Sequence, residues 1–181
     1  MRSSIAIEVR ATPDRVFRLA RDVSRWPDLL PHYRQVSVER QAHGHVLARM
    51  VAVRWFGPLP VPVTWRAEQW SDVDHPDGPR LHFRHVRGVT RGMQVTWRIS
   101  QTATGARIVI EHDFVRQLPL VGDRFLPRIV DRWFTRPIAS RTLRTFRDLA
   151  EALVVDTPMV DIPVDGSAVV AATAADGPPL P

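Results

Sequence analysis

His112, Tyr33 and Arg84 are the residues whose type and setting could do chemistry in this chain. His112 alternates in phase with Ile108, Ile110 and Phe114, which places an imidazole among apolar neighbours. An imidazole titrates near neutrality, so such a residue is either a satisfied core histidine or a general acid/base. Tyr33 offers a phenol at the start of a strand, for a structural hydrogen bond or for proton donation. Arg84 lies in Leu81-His82-Phe83-Arg84-His85-Val86, where either alternate set can face inward. If Leu81 and Phe83 point in, Arg84 is solvated. Trp26, Trp65, Met93, Trp97 and Phe114 are suited to line an apolar pocket, or simply to close a core.

Several chemistries are excluded at the same level. With 0 cysteines there is no disulfide, thiolate zinc site, iron–sulfur cluster or cysteine nucleophile. His43-Gly44-His45 falls in a turn, and His82 and His85 point to opposite faces of a strand, so no metal site is expected. There is no G-x-S-x-G elbow and no glycine-rich phosphate loop, and no cofactor is expected.

The elements that position these residues read in a clear order. Ser4–Arg10 alternates as a half-buried strand, with apolar residues at odd positions. Thr12-Pro13 then starts a short amphipathic helix carrying Val16, Phe17, Leu19 and Ala20, followed by a second short, proline-bounded helical segment around Trp26-Pro27. Strands are predicted near 33–41, 45–56, 62–73, 80–88, 92–102 and 106–117, broken at His43-Gly44, Gly57-Pro58, His75–Pro79 and Thr104-Gly105. Short links make the meander antiparallel. After Pro119 the period becomes helical: Phe125, Ile129 and Trp133, then Ile138, Leu143, Phe146, Leu149 and Leu153. Pro137 must kink or break this helix. The expected fold is α+β, with about seven strands curved around one long C-terminal helix laid on the concave face.

The 181 residues make about one domain, and 44% hydrophobic with 24% charged residues is ordinary globular composition. The domain is expected over 1–154 and a disordered acidic, Pro/Ala-rich tail over 155–181. No signal segment or membrane span is visible, so a cytoplasmic location is expected. All 25 basic residues are arginine; the net charge is +6. Such a field favours anionic partners. Arg124, Arg128, Arg132 and Arg136 recur at four-residue spacing, either a solvated helix face or a docking stripe for an anionic membrane surface or an acyl carrier protein. Nucleic acid is not expected, because the aromatics fall on core positions.

The order of elements, the phrase Ala11-Thr12-Pro13-Asp14-Arg15-Val16-Phe17 and the run Asp22-Val23-x-x-Trp26-Pro27-x-Leu29-Leu30-Pro31 resemble the helix-grip, START-like superfamily. Its branches include polyketide cyclases and coenzyme Q-binding proteins. The resemblance implies a deep pocket between sheet and helix for a polyketide, quinone or other lipid. Within it, the chain looks like the aromatase/cyclases, which need an acid/base and a cation near an enolate oxygen. That likeness implies pocket positions for Trp26, Tyr33, Arg84, Trp97 and His112. It also implies an arginine four residues after Trp65, where this chain has Gln69. Two functions are therefore expected as alternatives: a cyclase- or dehydratase-like enzyme using Tyr33, Arg84 and His112, or a non-catalytic carrier of a quinone or lipid.

Overall fold

The strand-forming alternation between Arg2 and Phe114 resolves into seven strands of one antiparallel sheet in a computed structural model. The structure describes residues 2–88, 90–114 and 131–155, with side chains of the last stretch up to 152. The strands are β1 (Arg2–Val9), β2 (Tyr33–Ala42), β3 (His45–Phe56), β4 (Leu59–Asp72), β5 (Arg80–Gly88), β6 (Met93–Thr102) and β7 (Gly105–Phe114). Their order in the sheet is β1-β7-β6-β5-β4-β3-β2, so the first two strands of the chain are its edges. β1 pairs with β7 from Arg2↔Asp113 to Val9↔Ala106.

Between the edges the chain crosses through α1 (Pro13–Arg21), a 3-10 turn (Val23–Arg25) and α2 (Trp26–Leu29). Thr12 caps α1 by accepting from the Arg15 amide, and Pro13 occupies the first turn, where no amide donor is needed. Val16, Phe17 and Ala20 form its buried face. The long helix, α3 (Arg136–Val155), packs against β1 and α1 and buries Ala139, Thr142, Leu143, Phe146 and Ala150, a stripe of three- and four-residue steps.

Three differences from the sequence reading have physical causes. β4 starts at Leu59 and runs through Pro60 and Pro62. β5 ends at Gly88 opposite Trp65, so this part of β4 lacks a second neighbour and the missing amide hydrogens leave no ladder bond unmade. Of the two outcomes expected at Pro137 there is no kink within the long helix, only a break at its start: the proline stands in the first turn of α3, after a π-helical turn at Asp131–Thr135. Val155, assigned to the tail, closes α3. The remaining tail, the end of the last predicted strand and the positions Arg124, Phe125, Arg128 and Ile129 lie outside the described residues. Among the described residues no helix is long and apolar enough to cross a membrane.

Candidate functional site

Trp26 anchors the interior. It meets Tyr33 edge-on at 5.0 Å between ring centroids, and Phe83, Trp97 and Phe146 at 5.8, 5.9 and 6.0 Å. Its indole N–H donates to the Ala20 carbonyl at 3.1 Å, which ties α2 to the end of α1. Beside this cluster, between the concave sheet face and α3, lies a cavity of about 90 Å³, room for several waters. Tyr33, Trp65, Met93, Trp97 and His112 line it, as does Trp26.

The polar groups of the cavity fall into two sets. On one side Thr142 of α3 shares its hydroxyl with His32 Nε2 at 2.8 Å and with the Tyr33 phenol. Burial raises the Tyr33 pKa against the opposing bond to Thr142, so the phenol stays a donor. On the other side are His85, from β5, and His112, from β7. His85 stacks on Trp65 at 5.9 Å with 10° between planes, and its Nδ1 bonds Thr90 Oγ1 at 2.7 Å. Burial lowers its pKa to about 3, helped by the charge His112 would carry. His112 is lowered to about 4, mainly by burial; Asp131 opposes and Arg136 assists. His32 is lowered to about 4 by burial and then by Arg141.

All three imidazoles are therefore neutral at pH 7, each with one donor and one acceptor nitrogen. His112 Nδ1 has no hydrogen-bond partner among the described residues, although the side chain is buried. Behind it, the buried Asp131 accepts from Ser3 Oγ at 2.7 Å and from Arg136 Nε at 3.1 Å. Ser3 is the cross-strand partner of His112, so this carboxylate is held close to the imidazole.

Arg84 is not in the cavity. The inward set of β5 is Leu81, Phe83 and His85, so Arg84 points to solvent and is paired with Glu68. Its pocket role, implied by resemblance, is corrected by that alternation. The described lining contains no Arg, Asp or Glu at all. Gln69 faces inward but does not line the cavity; its Nε2 donates to the Arg21 carbonyl at 2.7 Å and secures the end of α1. Phe114 is fully buried next to Met93, also without lining the cavity.

His85, Thr90, Thr142, His32 and Asp131 were not among the candidates. His85 continues the Leu81–Phe83 alternation, and Thr142 sits on the apolar face of α3 beside Leu143, so both carried a readable signal. Asp131 carried none, since it falls on neither the Phe125, Ile129, Trp133 stripe nor the arginine stripe of the predicted helix. Among the described residues no group of three His, Asp or Glu is placed to hold a metal ion.

This arrangement, a mostly apolar cavity gripped between a curved sheet and one helix, has relatives. Residues 2–151 match the family described as polyketide cyclase / dehydrase and lipid transport. The chain belongs to that family. The fold is shared with the Zhui aromatase/cyclase from Streptomyces sp. R1128 at 19% identity and a TM-score of 0.67, over 85% of this chain and 95% of that one. TTHA0849 from Thermus thermophilus aligns at 21% identity and a TM-score of 0.64, covering 87% and 99%. A START superfamily protein from Mycobacterium smegmatis gives 12% and 0.59, covering 84% and 98%. A search of curated protein sequences found no match. At these identities the structural likeness concerns the fold.

Proposed function

We propose that this polyketide cyclase / dehydrase family member binds an uncharged, oxygen-bearing hydrophobic molecule and promotes proton transfer on it, as a cyclase or dehydratase does. The observation that carries the reading is a pair of neutral imidazoles, the half-buried His85 and the buried His112, on one wall of an apolar cavity, with a protonated phenol opposite. An apolar cavity without a charged side chain disfavours an ionised ligand, because desolvation is not offset.

A neutral imidazole can take the proton from a carbon next to a carbonyl, and the electron pair moves onto the carbonyl oxygen. Tyr33 is the donor that meets that oxygen. A low pKa makes His112 a weak base in the empty cavity. An enolate formed beside it favours the imidazolium and restores its basicity at the moment it is needed. In a dehydration, the imidazolium or the phenol returns a proton to the departing hydroxyl, which leaves as water.

A second reading, a carrier without catalysis, is favoured by the absence of an arginine from the described lining and by the structural role of Gln69. Exchange of the central C–H of benzoylacetone with deuterated water separates the two. The enzyme reading expects the wild type to speed exchange and His112→Gln to lower that rate by roughly 10²-fold or more, with binding retained by tryptophan quenching. Quenching without accelerated exchange in the wild type would leave the carrier.

A further inference from the structure

The outer face of the sheet carries a feature that the cavity does not explain. Arg49, Arg66 and Arg87 are direct cross-strand partners on β3, β4 and β5: Arg49 opposes Arg66, and Arg66 opposes Arg87. Neighbouring strands are only about 4.8 Å apart, and like charges placed directly opposite destabilise a sheet. Arg66 Nε donates to Glu39 at 2.8 Å, while neither Arg49 nor Arg87 has a carboxylate partner among the described residues.

The row depends on a backbone irregularity. Continued alternation from Leu81, Phe83 and His85 would turn Arg87 into the cavity face. The register between β4 and β5 slips by one residue after Arg66, leaving Val86 as the extra residue of a bulge and returning Arg87 to the outside. Gly88 then follows at φ +99°, where a Cβ would lie 2.7 Å from the Thr64 carbonyl oxygen, so β5 is pinned tightly against β4 at this point. Arg49, Thr64, Arg66 and Arg87 line an open groove of about 200 Å³.

We propose that this groove is a phosphate-binding site, independent of whatever the cavity holds. Three guanidiniums less the Glu39 carboxylate leave a local charge near +2, which matches the −1.5 to −2 of a phosphate monoester at pH 7. Planar guanidinium forks bind phosphate oxygens in pairs, and the Thr64 hydroxyl adds a donor. A bridging anion converts a self-repelling row into a favourable one.

The test compares the wild type with Arg49→Gln/Arg87→Gln, which leaves Arg66 and its Glu39 bond in place. Thermal melting is followed at pH 7.5 in inorganic phosphate and in sodium chloride of the same ionic strength. At phosphate tenfold above its Kd, the wild type should melt about 3–5 °C higher than the variant's own phosphate response allows. Using the variant as reference removes the general stabilisation that phosphate gives to any protein. Without phosphate, the variant should melt at or above the wild type, because repulsion has been relieved. Sedimentation with phosphatidylcholine vesicles, with and without phosphatidic acid, then assigns the source. Co-sedimentation lost in the variant points to a lipid headgroup, and its absence in a wild type that responds to phosphate points to a soluble phosphate ester. Equal phosphate responses in the two proteins overturn the proposal, as does a variant that melts lower than wild type in chloride.

Discussion

At the scale of single residues, the interior is a set of imidazoles kept neutral by burial, and acid is the perturbation that exposes this. His32, His85 and His112 have folded-state pKa values of about 4, 3 and 4, against 6.5 when unfolded. Between these limits the unfolded chain binds protons that the folded chain refuses, so stability is fully present above about pH 6.5 and falls as the pH drops toward 4. Each such histidine adds a slope of about 1.4 kcal/mol per pH unit. Urea midpoints measured from pH 7 to 4.5 should show this decline, and His112→Gln should flatten it by about one histidine's share. An unchanged slope would mean that His112 takes up its proton in the folded state. One of these three imidazoles was singled out by the sequence reading. His112 announced itself by its phase with Ile108 and Ile110, because one β-strand faces the interior at every second residue. The role of Arg84 was not legible, since both alternations of β5 contain apolar residues and only pairing decides between them.

At the scale of elements, the helices are fastened to the sheet by a few buried polar bonds. Gln69 holds the C-terminal end of α1, and Gln69→Met removes its side-chain donor to the Arg21 carbonyl. The expected loss is about 1–3 kcal/mol in denaturant unfolding, with ligand quenching of the tryptophans retained. Thr142 fastens α3 to the segment that carries His32 and Tyr33. Thr142→Val should cost a similar roughly 1–3 kcal/mol, because His32 Nδ1 has no partner among the described residues and the substitution would remove that of its second nitrogen. The seven strands were readable from alternation and turn residues to within a few positions. The start of β4 was not, because two prolines argue against a strand unless one knows that its neighbour ends at Gly88. The bulge at Val86 was equally invisible: nothing in Leu81–Gly88 marks the residue at which the alternation slips.

At the scale of the whole molecule, one tryptophan links parts that come from distant stretches of chain. Trp26 touches rings from β2, β5, β6 and α3, so its truncation opens a cavity that several elements share. Trp26→Ala should lower stability by about 3–5 kcal/mol in urea titration, more than any surface change. A loss below about 1 kcal/mol would show that the interior collapses around the gap. A curved sheet with one long helix on its concave face was legible from the order of elements, because an amphipathic helix after a one-sided sheet has a single apolar face to cover.

The position of β1 carries a consequence for how the protein is made. Arg2 at the start of that strand pairs with Asp113, 111 residues further along. A ribosome adding about 5–20 residues per second needs roughly 6–22 s to deliver the partner. Throughout that interval Ile5, Ile7 and Val9 have no β7 to cover them, and the sheet grows from its other edge, as β2, β3 and β4 pair in order of synthesis. A nascent chain halted before residue 105 therefore presents an unpaired first strand, which is a substrate for chaperones and a template for pairing with another chain.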